Sequence, residues 1–213
     1  SYLTNYFSGI VAHNNKNNSE ALKFFETSKF LIKQHDNYLE RYTYSLVLEG
    51  KVQRATNEIK KNLTENNSNF FEAHLILAID SLKKKNYKKS KEYLNKSYAF
   101  TYNEKIPLVI VETLKQYLYV FEENKNPTTK KNLGNLSFIN EVFQRCYLSD
   151  KGTKDYFNSL VNNKKDQDYS RYIFFYLNYL IENNEIDEAK KIASNLDYLN
   201  SSLLISQGKK WIE

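Results

Sequence analysis

Three short stretches of the chain align on a small residue at spacings of 34 and 35: Asn18-Ser19-Glu20-Ala21, Val52-Gln53-Arg54-Ala55 and Tyr87-Lys88-Lys89-Ser90. Each follows a polar turn, and four residues after each small residue comes a large apolar one: Phe25, Ile59 and Leu94. A fourth copy, Ile186-Asp187-Glu188-Ala189, lies 99 residues beyond Ser90, close to three further periods, with Ala193 four positions on. A period of about 34 residues holds two helices and their joining turns. A chain built this way stacks helix hairpins on one another and offers a long surface instead of a single cleft.

Composition narrows the fold in the same direction. Five Gly and two Pro in 213 residues leave few of the tight turns that a β-sandwich or barrel needs. An apolar fraction of 41%, with aromatics at 15%, excludes global disorder and supplies large side chains for a core. The expected class is all-α. No uninterrupted apolar run reaches the roughly 18–20 residues that span a bilayer. The net charge of +6 invites a nucleic-acid or membrane reading, but Lys, Asn, Ile, Tyr and Phe are all abundant together, the drift that an AT-rich genome imposes on neutral positions. Cys146 is alone, cannot form an internal disulfide, and falls in the apolar run Val142-Phe143-Gln144-Arg145-Cys146-Tyr147-Leu148, where a small buried side chain is expected. The absence of methionine is read as a segment cut from a longer protein or as a leader removed. The end of the chain, with Leu204, Ile205, Trp211 and Ile212, reads as a helix just begun in an array that continues.

Apolar spacing and turn residues place six helix pairs at about 2–34, 37–63, 70–100, 106–133, 136–162 and 169–196, with a truncated helix at 199–213. They are read as one domain. Ser19 is the expected cap of the second helix, and Asn62–Asn69 is an Asn-rich loop. Pro107 fits the first turn of a long helix reaching Glu123. Asn126-Pro127 reads as the start of a short helix to Leu133, broken by Gly134-Asn135. Close contact within each pair calls for small residues: Gly9 against Ala21, Ala78 against Ser90 and the bulkier Thr43 against Ala55. Phe25, Ile59 and Leu94 then fill the gap to the following pair.

These residues carry a resemblance to the tetratricopeptide repeat family, which implies a right-handed α-α superhelix. Residues 2–123 resemble the start of long, uncharacterised bacterial proteins of that family, through Tyr2-Leu3 to Ala21-Leu22-Lys23-Phe24-Phe25 and then Ala73-His74-Leu75-Ile76-Leu77-Ala78-Ile79-Asp80-Ser81-Leu82-Lys83. Residues 172–192 are similar to a later repeat of the same proteins. The resemblance implies a non-catalytic scaffold for protein–protein interaction in the periplasm or cell envelope. The chain departs from the family pattern where Asn5, Leu39 and His74 replace an early Trp, and where Lys33, Asn67 and Tyr102 replace a Pro.

The family binds peptides in a groove lined by its first helices. Carried across by column, that groove here holds Leu3, Tyr6, Ile10 and His13; Glu40, Tyr44 and Val47; Glu72, Leu75 and Ile79; and Phe174 and Asn178. It is apolar and aromatic with scattered acids, suited to an amphipathic helix of a protein partner. The columns of the family's basic clamp for a C-terminal carboxylate hold Tyr6, Ile10, Arg41, Glu72 and Ile76, so that clamp is not expected. A second reading places nucleic acid on the basic patch Lys83, Lys84, Lys85, Lys88, Lys89 and Lys91, where the interleaved Tyr87 and Tyr93 would stack on bases. His13, His35 and His74 fall in separate segments without metal-ligand spacing. No phosphate loop or nucleophile motif stands out, so neither a cofactor nor catalysis is expected.

Overall fold

The computed structural model describes residues 1–35, 37–63, 69–162 and 172–194. Within them the chain is helical, without a strand, and its helices pack as neighbours in sequence. The expected helix at 199–213 lies outside the described residues, as do the middle of the Asn-rich loop and the expected start of the sixth pair at 169.

Each hairpin follows from one local device. The α1 helix (Tyr2–Asn14) turns into α2 (Asn18–Thr27) through Lys16, which has φ of 60°. There the Lys16 N–H donates to the His13 carbonyl and the Asn17 N–H to the Ala12 carbonyl. This pair of bonds around a left-handed residue is the Schellman ending, which satisfies carbonyls that a helix end would otherwise leave bare. The same two bonds recur around Gly50 between α3 (Tyr38–Leu48) and α4 (Val52–Asn62), and around Lys85 between α5 (Phe71–Lys83) and α6 (Tyr87–Ser97). They recur again around Ser149, between α8 (Asn135–Tyr147) and α9 (Thr153–Asn162), and around Asn184, between α10 (Ile173–Glu182) and α11 (Ile186–Ala193). The left-handed residues stand 34, 35 and 35 apart for Lys16 to Gly50, Gly50 to Lys85 and Ser149 to Asn184. Only one of the five is glycine, so backbone geometry keeps the period where sequence hides it.

Caps correct one expectation. Asn17, not Ser19, caps α2: its side chain accepts from the Glu20 N–H and donates to the Glu20 carboxylate at 2.7 Å. Asn86 occupies the same place before α6 and accepts from the Lys89 N–H. At its far end α2 passes into a 3-10 segment, Lys29–Lys33, where one continuous helix is expected. The Thr27 and Ser28 hydroxyls both donate to the Phe24 carbonyl, at 2.9 and 2.8 Å, and such back-bonding competes with the α-helical ladder.

The chain divides into two compact units, Ser1–Leu118 and Tyr119–Glu213. In the first, Tyr6, Ala21, Phe25, Tyr38, Leu39, Tyr42, Leu46, Ala55, Ile59, Ala73 and Leu77 form one buried cluster. A smaller one joins Ala78, Leu94 and Leu118, the last from α7 (Lys105–Glu123). Gly9 is small for the expected reason, but against a different neighbour. A Cβ there would lie 2.8 Å from the Phe25 ring and 3.3 Å from Phe24 Cβ. Ser90 meets Ala78 as expected and donates to its carbonyl at 2.9 Å.

Successive hairpins of this unit are tied by both rings and charges. The Tyr38 ring stacks on Tyr6 at 5.0 Å, and its hydroxyl donates to the Phe25 carbonyl and shares a hydrogen bond with Ser28. Burial pushes the Tyr38 phenol up to about 12. Arg54 of α4 pairs with Glu26 of α2 at 2.6 Å, and Lys29 of the 3-10 segment with the buried Glu58 of α4. Lys60 of α4 reaches Asp80 of α5 at 2.8 Å.

In the second unit, Ile139, Val142, Phe157, Leu160, Ile173, Tyr176, Leu180 and Ala189 are buried together. Phe157 stacks on Tyr176 at 5.6 Å and meets Phe143 edge-on at 5.8 Å. Cys146 is half-buried there, and burial raises its thiol. The short helix expected from Pro127 to Leu133 is not formed. That stretch, Pro-Thr-Thr-Lys-Lys-Asn-Leu, has no apolar face to bury, and side chains take its backbone donors instead. The Leu133 N–H donates to the Ser137 hydroxyl and the Gly134 N–H to Asn132 Oδ1.

Candidate functional site

The first helices of three hairpins, α1, α3 and α5, border a cavity of about 400 Å³ in the first unit. The turn spacing explains why they do. With hairpins in a 34–35 residue register, equivalent positions of successive first helices enter the lining in pairs, His13 with Val47, Glu40 with Leu75 and Arg41 with Ile76. His13 enters from α1, Glu40, Arg41, Thr43, Tyr44 and Val47 from α3, and Glu72, Leu75 and Ile76 from α5, with Phe70 just before it.

Six of the twelve groove residues expected from sequence line this cavity: His13, Glu40, Tyr44, Val47, Glu72 and Leu75. The other six do not. Tyr6 is a core residue, 4% exposed, because its ring lies between Tyr38 and His35 and its hydroxyl accepts from Arg41 Nη1 at 2.7 Å. It is corrected from groove to core. Ile10 packs half-buried against that core. Ile79 stays exposed outside the cavity lining, as does Leu3. Phe174 and Asn178 belong to the second unit, where Phe174 meets Phe175 edge-on and Asn178 donates to Glu182.

The cavity has an apolar floor and polar fittings. Tyr44 is 52% exposed, and its ring meets His13 edge-on at 5.1 Å. Glu40 and Glu72 stand exposed along the lining, and no ion pair or hydrogen bond engages them among the described residues. His13 Nδ1 and the Thr43 hydroxyl are buried without a hydrogen-bond partner. Ser45, buried in the same helix, is left in the same way. Thr56 and Ser97, also buried in helices, donate to the carbonyl four residues back, Val52 and Tyr93 respectively. Thr43 and Phe70 were missed from sequence: Thr43 reads as a helix-contact position and Phe70 as a helix start. The signal for Thr43 was its bulk in a column otherwise held by Gly9 and Ala78.

The basic patch is arranged differently. Lys83, Lys84, Lys85, Lys88, Lys89 and Lys91 are exposed around the α5–α6 turn, and Lys84 is paired with Asp80 at 2.7 Å. Burial tends to raise the Asp80 carboxyl, but Lys60 and Lys84 outweigh it and hold the group below its usual range. Tyr87 and Tyr93 are half-buried against Ala78, Leu94 and Leu118, so their rings serve the core.

His74 is buried, and its Nε2 lies 2.6 Å from Asn69 Oδ1. Burial, helped by Lys96, lowers its pKa. Among the described residues no three His, Cys, Asp or Glu side chains are grouped to hold a metal ion, and no helix is long and apolar enough to cross a membrane. No family model matches the chain, and neither does any curated protein.

Proposed function

We propose that this chain is a non-catalytic scaffold for protein–protein interaction, an α-α superhelix of the tetratricopeptide kind that holds a peptide or helix of a partner in the groove of its first helices. One observation carries the reading. A cavity of about 400 Å³ is walled by α1, α3 and α5, and gathers His13, Glu40, Tyr44, Glu72 and Leu75 from three separate hairpins. Grooves of this make, apolar with a few placed polar groups, suit the side chains of a docked segment. The Schellman turns, 34–35 residues apart within each of the two units, support the repeat family.

The groove is favoured over the basic patch as the binding surface. Stacking on nucleic acid needs free aromatic faces, whereas Tyr87 and Tyr93 are packed into the core and Lys84 is held by Asp80. The test is an affinity capture with wild-type protein and with Tyr44→Ala. Because Tyr44 is half-exposed, its truncation should leave the unfolding transition unchanged and remove the captured partner. Undiminished capture by the folded variant would show that the groove is not the binding surface.

A further inference from the structure

Resting on that reading, we propose the chemistry of the occupant: a segment presenting apolar side chains flanked by lysine or arginine, a basic amphipathic peptide.

The argument is one of charge placement. Some acids of the first unit are neutralised by their neighbours, Glu26 by Arg54, the buried Glu58 by Lys29, and Asp80 by Lys60 and Lys84, while others such as Glu92 stand exposed without an ion pair among the described residues. Glu40 and Glu72 are not neutralised either, although the chain carries 31 Lys and Arg. The one cation in the lining, Arg41, is turned toward α1, where it donates to the Tyr6 hydroxyl. Two carboxylates against one guanidinium leave the Asp, Glu, Lys and Arg side chains of the lining at −1 on a chain of +6. The acids are therefore a local feature set against the field of the whole molecule.

The remaining fittings match a peptide. Tyr44, Val47, Phe70, Leu75 and Ile76 accept apolar side chains. The buried Thr43 hydroxyl and His13 Nδ1, which lack partners among the described residues, supply a donor and a second hydrogen-bonding site for a main-chain amide. An acidic segment would meet Glu40 and Glu72 and leave all four charges unpaired, a costly arrangement that selects against it.

The experiment is fluorescence anisotropy of the full chain with three labelled helix-forming peptides, bearing leucine on one face and lysine, serine or glutamate on the other. The leucine–lysine peptide should bind tightest. Its affinity should fall about tenfold in the double variant Glu40→Gln, Glu72→Gln, as expected for losing two placed charges. It should also fall as ionic strength rises from about 0.05 to 0.5 M. The substitution Glu92→Gln, an exposed carboxylate of α6 outside the cavity, should change nothing. Equal binding of the serine or glutamate peptide, or an unchanged double variant, overturns the basic occupant. Self-association that the double variant abolishes would assign the cavity to a second copy and overturn it too. If none of the peptides binds while Tyr44-dependent capture persists, this inference fails and the scaffold reading stands; if capture ignores Tyr44, the scaffold reading itself fails.

Discussion

The two units close their hairpins alike and fill them differently. In the first, the residue five positions beyond the left-handed turn residue is small and buried each time: Ala21, Ala55 and Ser90. In the second, Ala189 keeps that pattern, but the α9 position is Lys154. The buried face of α9 is Thr153, Phe157, Leu160 and Val161. The α2 helix buries Ala21, Leu22 and Phe25, and α4 buries Ala55, Thr56, Glu58, Ile59 and Asn62. Relative to the small residue that opens each of those faces, the face of α9 begins one residue earlier, about 100° round the helix. Lys154 is thereby turned outward, where it pairs with Glu185 and Glu188 of the following hairpin. The Schellman bonds involve only backbone, so they survive this rotation; the small-residue contact does not. The turn is the constant part of the repeat and the helix contact is the variable one.

Substitution can break this comparison most sharply at the contact. Ala55→Leu should cost about 1–3 kcal/mol, since a fully buried helix contact has no room for three more carbons. Lys154→Leu, at the equivalent position, should cost under about 1 kcal/mol, because its ion pairs are more than a third exposed and solvent-screened. Urea unfolding of both variants decides the matter. Equal losses would mean that α9 is not rotated.

The turns come next in size. A side chain in the left-handed region is strained by about 1–2 kcal/mol, which glycine relieves at some entropic cost. Lys85→Gly and Ser149→Gly should therefore each stabilise by about 0.5–1 kcal/mol, and Gly50→Ala should destabilise by about 1 kcal/mol. A gain at Lys85 without one at Ser149 would separate the turns of the two units.

The extent to which the sequence discloses this fold depends on which atoms write the period. Ala21, Ala55 and Ser90 are side-chain marks, and the hairpins of the first unit are legible through them. The α8–α9 turn carries no such mark, since Lys154 occupies its column and Ser149 gives no hint of a positive φ. Pro127 misleads, because a good helix start is useless where Thr-Thr-Lys-Lys follows with nothing to bury. At the cavity, the resemblance to the repeat family implies Glu40, Tyr44, Glu72 and Leu75 on one side, but cannot tell groove from core. Tyr6 has the right column and goes inward because Tyr38, Phe25 and Arg41 meet it there. Which member of a column is buried is decided by its neighbours in space.

The smallest expected effect concerns His74, whose counterpart is missing from the described part of the second unit. Its folded pKa is depressed below the ordinary 6.5, so the unfolded chain takes up the proton first as the pH falls. Stability is then full above about 6.5 and is lost progressively as the pH drops through the folded value. His74→Gln should flatten that portion of the melting temperature against pH curve relative to wild type. An unaltered slope would show that His74 is not the group responsible.

The Tyr38 hydroxyl has a consequence for the kinetics of binding. By joining Phe25 of α2 and Ser28 to α3, it ties the hairpin that carries the α1 wall to the α3 wall before anything enters. A partner would meet a groove already open at its working width, with little ordering left to do. Association should then be a single bimolecular phase, its observed rate linear in partner concentration. Tyr38→Phe would loosen the walls and add a slower, concentration-independent step.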